Sequence, residues 1–298
     1  MDSNALALFV DIVDAGNLSA AARHLKVTRA NISYHLNQLE KSVGLQLMRR
    51  TTRRVALTEA GEALYRHGRV IRDEVLAARE SASTMGQGLH GSVRLSLPTG
   101  FGHMVMSGWL IDFKRQYPGI ALEVLFDNRV DDLLREEIDV VVRVMTEPPS
   151  HMVATELTSV RYTVCASSDY AHQHAMPTDL DALAQVPLIT SAVSGRELRV
   201  SAYQHELRRE VTLHPTLASE NFQFLREAIL AGLGVGLVPD YVVADDVAQG
   251  LVVTALHDWR LSIFGTRMFL LRMPNRYQTL AARTLIDFIT HKVRAWAE

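Results

Sequence analysis

Side chains that suit nucleic-acid bases are concentrated between residues 28 and 35. Arg29 has the geometry to hydrogen-bond guanine through two atoms, and Asn31 has the geometry to do the same with adenine. Thr28 and Ser33 carry hydroxyls that suit phosphate oxygens. At the same surface we also expect Ala30, Tyr34 and His35. This set of residues predicts direct readout of base pairs in double-stranded DNA.

The local charge has the sign that a polyanion requires. Residues 18–58 hold eight Lys or Arg against one acid, Glu40, a net charge of +7, whereas the whole chain carries −2. A basic module in an otherwise acidic protein indicates a nucleic-acid partner. Arg53 and Arg54 lie between two short alternating runs. We therefore expect them at the tip of a hairpin wing, in contact with phosphates or the minor groove.

Two short helices joined by a tight turn are predicted to position these side chains. Ser19 is expected to cap the first helix, AAARHL, and Thr28 the second. The second helix ends at Gly44, and its single apolar stripe consists of Ile32, Leu36, Leu39 and Val43. A helix pair of this kind places its second helix in the major groove. A small helical domain with a solvated basic face is the alternative.

A long helix is predicted from Thr58 onward, and its apolar positions step by four and three residues. Such a narrow seam is typical of coiled coils, so we expect this helix to pair two subunits. The alternative is a helix packed on its own body. The expected dimer contacts are Leu64, Ile71, Val75 and Ala78. The run GQGLHGS then marks a linker to a second body.

From residue 92 onward, apolar runs rich in β-branched residues alternate with helical patterns. This alternation predicts an α/β architecture with parallel sheets covered on both faces, and about 200 residues suit two lobes rather than one. We expect one helix over residues 103–116, a short helix over 131–137 and a terminal helix over 279–297.

Two features of this body favour an organic anion as ligand. Residues 98–102 form a turn before the expected helix, where free backbone N–H groups and the helix dipole attract a carboxylate. Arg143 interrupts the apolar strand DVVVRV near its end. A buried arginine needs an anionic partner, and the sequence leaves open whether this partner is an acid of the protein or a ligand.

Other chemistries lack support in the sequence. It contains no nucleophile elbow, phosphate loop or paired catalytic carboxylates, so we expect no enzyme activity and no cofactor. His172 and His174 form the sole His-x-His and have no evident third metal ligand. Cys165, the single cysteine, is expected to be a buried hydrophobe, with a redox role as the alternative. The lone cysteine and the absence of a long apolar run or basic leader predict a cytoplasmic protein without a membrane anchor.

Several of these residues together resemble the N-terminal signature of the LysR-type transcriptional regulators. The matching positions are Phe9, Gly16, Ala21, Ala22, Leu25, Leu39, Glu40, Gly44, Leu47 and the run RTTRRVALTEAG. The runs RRTTRR, DVVVRV and SSDYA resemble most the branch that contains the cholera virulence activator and its meningococcal relative. The resemblance runs the length of the chain.

This resemblance implies an α/β protein with an N-terminal, all-α-type winged helix-turn-helix at residues 1–58. It implies a linker and dimerisation helix with a hinge at 59–90. A two-lobed, periplasmic-binding-protein-like effector domain follows at 91–298. Lobe I would comprise 91–162 with 266–298, and lobe II 163–265. The implied effector-binding residues, between the lobes, are Thr99, Gly100, Phe101, Asn128, Arg143, Asn221 and Pro239.

The resemblance also implies partners, and the sequence departs from the family at one place. Members commonly form dimers of dimers on DNA, so we expect a bacterial homotetramer, with RNA polymerase as a further candidate partner. Where the family often has Ser-Gln-Pro-Ala, this chain has Thr28-Arg29-Ala30-Asn31, and Tyr34 replaces a frequent arginine. Exchanging glutamine for arginine changes which base edge is favoured, so the operator should differ from those of relatives.

We therefore predict a sequence-specific transcription regulator controlled by a small effector, most simply an organic anion. Two alternatives from other classes stay open. One is an architectural or constitutive DNA-binding protein that has no effector. The other is a solute-binding protein or enzyme with a helical appendage, against which the lack of catalytic motifs counts.

Overall fold

The computed structural model describes residues 2–49, 56–84, 89–128, 138–191, 197–205, 207–263, 265–274 and 277–297. The chain divides into two compact units, Met1–His90 with Asn275–Leu280 and Gly91–Pro274 with Ala281–Glu298. The predicted wing tip, which carries Arg53 and Arg54, and the predicted helix over 131–137 lie outside the described residues.

The first unit is a helical head followed by a long helix. In chain order it contains α1 (Ser3–Asp14), α2 (Leu18–His24), α3 (Arg29–Val43), β1 (Met48–Arg49), β2 (Ala56–Leu57) and α4 (Glu59–Thr84). The predicted stripe of α3 is confirmed, since Ile32 and Leu39 are fully buried with Phe9 of α1, and Leu36 and Val43 pack against them. β1 and β2 pair antiparallel, as a wing requires.

Caps fix where the two short helices begin and end. The hydroxyl of Thr28 accepts a hydrogen bond from the Asn31 N–H at 3.2 Å, which confirms the predicted cap of α3. Gly44, with φ of 75°, ends that helix in the left-handed conformation. The predicted cap at Ser19 is wrong, because the carboxamide of Asn17 accepts from the Ala20 N–H at 2.7 Å and starts α2 earlier.

The long helix is anchored to the head by a charged cluster. The Arg72 guanidinium on α4 lies 2.9 Å from the Asp11 carboxylate and 2.8 Å from that of Asp14, both on α1. Tyr65 also donates to Asp14. Burial raises the pKa of Asp11 even though Arg72 acts against that shift. The cluster therefore holds α4 at a fixed angle to α1 by charge-assisted hydrogen bonds.

The predicted seam of α4 is only partly exposed. Leu64 packs against the core of its own head, so its predicted dimer contact needs correction. Ile71 and Val75 are exposed, as is Ala78. Val70, which the seam omitted, is the most exposed large apolar residue of this helix, at 69%. Three of the four predicted contacts are thus exposed, and Val70 adds a further exposed apolar side chain next to Ile71.

The second unit alternates strands and helices. In chain order it contains β3 (Gly91–Leu97), α5 (Thr99–Phe101), a π-helical turn (Gly102–Met106), α6 (Ser107–Gln116), β4 (Ile120–Phe126), β5 (Val140–Met145), β6 (Val153–Ser159), β7 (Tyr162–Ser167), α7 (Ser168–Gln173), α8 (Leu180–Leu183), β8 (Leu188–Thr190), β9 (Leu198–Gln204), β10 (Leu207–Leu213), β11 (Leu217–Ala218), α9 (Phe222–Leu230), β12 (Val235–Pro239), a 3-10 turn (Asp240–Val242), α10 (Ala244–Ala248), β13 (Val252–Ala255), β14 (Arg260–Ser262), β15 (Arg267–Arg272) and α11 (Leu280–Ala297).

Two sheets form two lobes within this unit. Lobe I has the strand order β4-β3-β5-β15-β6, and lobe II has the order β10-β9-β14-β7-β12-β8-β11, with β13 also on β7. The prediction of parallel sheets is only partly right. β3 is parallel to β4 and β5, and β8 is parallel to β11 and β12, but the remaining pairs are antiparallel. Returning strands such as β15 fill the edges of each parallel core.

One predicted helix begins earlier than its periodicity indicated. The helix expected over residues 103–116 starts at Thr99, so the supposed turn before it is its first turn. A π-helical turn then interrupts the α-helical hydrogen bonding before α6 begins. Single π-helical turns within α-helices are frequent at functional sites. The apolar residues of the first turn contact the other lobe, which the local sequence does not show.

The chain passes between the lobes twice, after β6 and after β14. The two passages are joined by one backbone hydrogen bond, in which the Val160 N–H donates to the Thr266 carbonyl at 2.7 Å. Beside them, Gly265 has φ of 123°, and a Cβ there would lie 2.2 Å from the backbone of Met145. Only glycine fits this approach. The two passages therefore form a single hinge.

The single cysteine lies in the core of lobe II. Cys165 is fully buried beneath α9, with Ile189, Leu225 and Val238 in the same cluster. Burial, together with the charge of Asp246, raises the pKa of the thiol to about 12. Asp246 itself is paired with Arg226 at 2.6 and 2.5 Å. This environment favours the prediction of a structural cysteine over a redox role.

We expect the folded protein to protect Cys165 from alkylation. At about pH 8 the raised pKa alone slows iodoacetamide by about a thousandfold relative to an ordinary thiol, because the thiolate is the reactive form. The measurement is the labelled fraction by intact mass, with and without denaturant. Complete labelling within minutes in native buffer would contradict the buried assignment.

Candidate functional site

The outer face of α3 displays the side chains predicted to read DNA. Arg29, Ala30, Asn31, Tyr34 and His35 are exposed, and Ser33 is half-buried at the edge of this face. Their exposure contrasts with Ile32 and Leu39 of the same helix, which are buried in the core of the head. The structure thus brings together every predicted contact on this helix. The wing-tip arginines 53 and 54 lie outside the described residues.

Two local contacts organise this face. Thr28 uses its hydroxyl oxygen to cap the helix, which leaves the hydroxyl proton to donate to a phosphate. The rings of Tyr34 and His35 meet edge to face at 5.4 Å, and Tyr34 is 60% exposed. The helix therefore presents a donor-rich first turn followed by an aromatic pair one turn later.

Glu40, the one acid of the basic segment, ties α3 to the wing. One of its carboxylate oxygens accepts from the Leu47 N–H at 2.8 Å and from the Met48 N–H at 3.3 Å. At the other strand of the wing, Thr58 donates to the Gln46 carbonyl at 2.7 Å. Sequence reasoning used Glu40 only as a charge and as part of the family signature. Its being the one acid among the eight Lys and Arg of residues 18–58 is the signal that would have revealed it.

The predicted effector-binding residues of lobe I meet at the start of α5. The Thr99 N–H donates to the Asn128 carboxamide at 3.0 Å, and the Asn128 amide donates to the Thr99 hydroxyl at 2.9 Å. The predicted free N–H groups of this turn are therefore partly occupied by the protein. Asn128 acts as a cap supplied from the next strand of the sheet.

The same turn is latched to lobe II. The Thr99 hydroxyl donates to the Glu220 carbonyl at 3.3 Å. The Phe101 ring meets the Tyr241 ring edge to face at 5.3 Å, and the Tyr241 phenol oxygen is hydrogen-bonded to the Phe101 backbone. Burial raises the pKa of Tyr241. We call these contacts of Thr99 and Phe101 with Glu220 and Tyr241 the lobe latch.

Two predicted effector residues are enclosed by this latch. A Cβ at Gly100 would lie 2.7 Å from the Phe222 ring and 2.9 Å from the Tyr241 hydroxyl, so the glycine permits the lobes to meet. Phe101 is fully buried, and Trp109, Tyr241 and Trp296 surround its ring. Neither offers a free surface in this arrangement, which corrects their predicted direct role.

Arg143 lies beneath the cleft with protein partners of its own. Its guanidinium donates to the Ser96 hydroxyl at 2.7 Å and to the Val142 carbonyl at 2.8 Å, and the side chain is 2% exposed. Burial lowers its pKa to about 10, and the nearby charge of Asp127 opposes that shift. The charge of Asp127 thus acts on Arg143, and a ligand carboxylate as a further partner stays a prediction.

The lobe II side of the cleft contains the ends of parallel strands. Asn221 caps α9 through the Phe224 N–H at 3.1 Å, and Pro239 is buried at the end of β12. Ser191, directly after β8, is 2% exposed, and its hydroxyl is without a hydrogen-bond partner among the described residues. A buried hydroxyl without a partner costs free energy, so Ser191 is a candidate that sequence reasoning missed. Its place after the apolar run VPLIT was the available signal.

Metal and membrane sites find no support in the part of the chain that the structure describes. No group of three or more potential metal ligands occurs there. His172 and His174 contact the carbonyls of Ser168 and Tyr170 through their rings. No single described helix has the length and apolarity to cross a bilayer; α1 and α2 meet that test only jointly, across a bend of 115°.

Comparison with known proteins places both units in one family. The model of the LysR substrate binding domain matches residues 86–294, and that of the bacterial regulatory helix-turn-helix protein, lysR family, matches residues 3–62. A probable HTH-type transcriptional regulator, LtrA of Klebsiella pneumoniae, is 27% identical over 97% of this chain and 94% of its own length.

Similarity extends to the branch that the sequence indicated. The regulator CrgA of Neisseria meningitidis is 26% identical over 86% of this chain and 85% of its own length. The full-length structure of the Vibrio cholerae virulence activator AphB is 26% identical, covers 98% of this chain and 99% of its own, and superposes with a TM-score of 0.60. These findings confirm the predicted resemblance and its branch.

Replacing Glu40 by alanine is expected to loosen the wing. The substitution leaves the Leu47 and Met48 N–H groups without their acceptor, at a cost of about 1–3 kcal/mol. The measurement is hydrogen exchange of residues 44–49 in the full chain. Glu40→Gln is the matched control, because its carboxamide oxygen still accepts. Equal protection in the alanine variant and the unaltered protein would show that Glu40 does not hold the wing.

Proposed function

Because the chain belongs to the LysR family of bacterial transcriptional regulators, we propose that it binds a specific DNA sequence and alters transcription in response to a small organic anion. The single observation that carries the DNA-binding part is the exposed face of α3. There, Arg29 and Asn31 lie on the first turn of a helix whose opposite face is buried. This arrangement suits base-edge recognition in the major groove.

Each residue of the interface has a proposed role. Arg29 would bind guanine and Asn31 adenine, while Tyr34 and His35 contact bases or sugar one turn further along. Thr28 and Ser33 would donate to phosphates, and the small Ala30 allows close approach. Arg53 and Arg54 would bind phosphates or the minor groove from the wing. Base preference then depends on the first turn of α3, and overall affinity on the wing.

The effector is proposed to bind between the lobes. The buried charge of Arg143 favours an anion above it, and Ser191 has a hydroxyl to donate. Around them lie Thr99, Asn128, Asn221 and Pro239, with Gly100 and Phe101 as the enclosed base of the site. A ligand that competes for Thr99 or Asn128 must loosen the lobe latch. Ligand binding and lobe arrangement are therefore thermodynamically linked.

Assembly through α4 would make the head a paired DNA reader. The exposed stripe of Val70, Ile71, Val75 and Ala78 is proposed to contact a second copy of the chain. Two such dimers would bind adjacent half-sites, in the cytoplasm, with RNA polymerase as a candidate partner. A constitutive DNA-binding protein without an effector is the competing function, and a ligand screen on the full chain separates it from a regulator.

Selection of bound sequences from random DNA tests the DNA-binding proposal. Arg29→Ala should reduce the preference for the selected site over random DNA, with about 1–3 kcal/mol lost at one base position. Arg53→Ala should weaken both about equally and reduce the salt slope by about one. Binding of the full chain is measured by fluorescence anisotropy at several salt concentrations. If no sequence is enriched, the proposal of specific recognition is wrong.

Thermal shifts of the full chain with small organic anions test the effector proposal. A ligand present at about one hundred times its Kd stabilises the folded state by about 2.7 kcal/mol. Arg143→Met should remove that gain, whereas Arg115→Ala, at an exposed arginine of α6, should retain it. The readout is the ligand-induced shift, so a change in basal stability does not confuse it. A broad screen without any shift supports the constitutive alternative.

A further inference from the structure

Lobe II contains a cavity of about 700 Å³ that is separate from the cleft between the lobes. Its walls come from the start of β7, the end of β9, the residue after β12 and the segment from β13 to β14. The lining residues that carry charge or a ring are Arg161, Tyr162, Tyr203, His205, Asp240, His257, Asp258, Trp259 and Arg260. The volume falls in the range typical of small-molecule sites.

The two arginines of this cavity are not paired with an acid in the described part of the chain. Among the described residues, neither Arg161 nor Arg260 forms an ion pair, although Asp240 lies near enough to Arg161 to feel its charge. Asp240 accepts from the Tyr241 N–H at 2.8 Å, and burial raises its pKa. A guanidinium on a concave surface that forms no ion pair can bind an anionic ligand.

Aromatic rings line the same walls. The Arg260 guanidinium lies 5.0 Å from the centre of the Tyr203 ring, directly across the β9–β14 pair. Trp259 precedes Arg260 in the segment that leads into β14. A planar ligand can therefore stack on a ring while its carboxylate meets a guanidinium. Asp240 and Asp258 disfavour a multiply charged phosphate here and suit a ligand that also carries a hydrogen-bond donor.

The backbone of this cavity departs from ordinary conformations. Among the described residues, three non-glycine residues have positive φ, and two of them, His205 at 53° and Leu256 at 57°, line it. His205 lies in the tight turn between β9 and β10. Leu256 lies in a four-residue excursion that separates β13 from β14, although both pair with β7. Residues in strained backbone conformations concentrate at ligand sites, because they persist only where the surrounding structure holds them in place.

We infer that this cavity is a second small-molecule site, for a planar aromatic carboxylate that also carries a ring hydroxyl or amine. The carboxylate would pair with Arg161 and Arg260, the ring would stack beside Tyr203 and Trp259, and the donor would reach Asp240 or Asp258. The site goes beyond the proposed effector cleft, with which it shares no residue.

The site lies beside the hinge, so a ligand bound there can affect the arrangement of the lobes. Arg161 directly follows Val160, whose N–H bonds the other passage, and its own carbonyl accepts from the Asp240 N–H at 2.9 Å. Asp240 in turn adjoins Tyr241 of the lobe latch. A ligand that holds the Arg161 side chain is therefore linked to the backbone between the hinge and the lobe latch. Its affinity differs between arrangements of the hinge and the latch.

Calorimetric titration of the full chain with 6-hydroxy-2-naphthoate tests the inference. The probe carries the planar ring, the carboxylate and the donor, while 2-naphthol lacks the carboxylate and should bind at least about tenfold more weakly. Arg260→Ala and Arg161→Ala should each weaken the hydroxynaphthoate by about tenfold or more, the loss expected for a charge-assisted hydrogen bond.

Matched control variants distinguish binding in this cavity from binding elsewhere on the chain. Arg208 faces the same Tyr203 ring from 5.9 Å but does not line the cavity, so Arg208→Ala should change affinity by less than about twofold. Ser191→Ala, in the cleft, should also change the affinity for the hydroxynaphthoate by less than about twofold. Equal losses in the Arg208 and Arg260 variants would overturn the inference, as would loss in the Ser191 variant alone. Absence of binding at about 1 mM probe would also overturn it.

Discussion

The hinge between the lobes is the constraint on which the rest of the effector-binding unit depends. A backbone hydrogen bond between Val160 and Thr266 joins the two passages of the chain, and Gly265 lets them lie against lobe I. With the hinge fixed, the first turn of α5 meets lobe II and the lobe latch forms. Both candidate ligand sites lie next to this frame. If the two proposed sites bind ligands, each ligand would act on lobe geometry through contacts of the backbone.

In the head, a few acidic side chains hold the elements together within a segment that is rich in positive charge. Its basic segment would be unfavourable to fold alone, and the structure offsets this with Glu40, which holds the wing by two backbone N–H groups. Arg72 similarly uses Asp11 and Asp14 to join α4 to α1. Arg29 stays exposed on the first turn of α3, where it can meet DNA.

Much of the fold was predictable because its signals are local. The Thr28 cap, the buried stripe of α3 and the terminal helix were all confirmed, since capping groups and apolar periodicity act within a few residues. Ser19 failed as a cap because the Asn17 carboxamide accepts from the Ala20 N–H, so the helix already begins at Leu18. The early start of the helix at Thr99 was missed because Asn128, from another strand, supplies its cap. Leu64 was predicted as a dimer contact, but it packs against the core of its own head.

The sequence by itself determined the family, the reading face of α3 and the order of the elements, because these depend on residue types at short spacing. Only the tertiary structure decided which polar groups already have partners. Arg143 donates to Ser96 and lies within the charge of Asp127, and Phe101 lies inside the lobe latch, although these partners are distant in sequence. The same folding collected Arg161, Tyr203 and Arg260 around one cavity. Pairing between strands that are distant in sequence brings such residues together, and the local residue pattern does not predict that pairing.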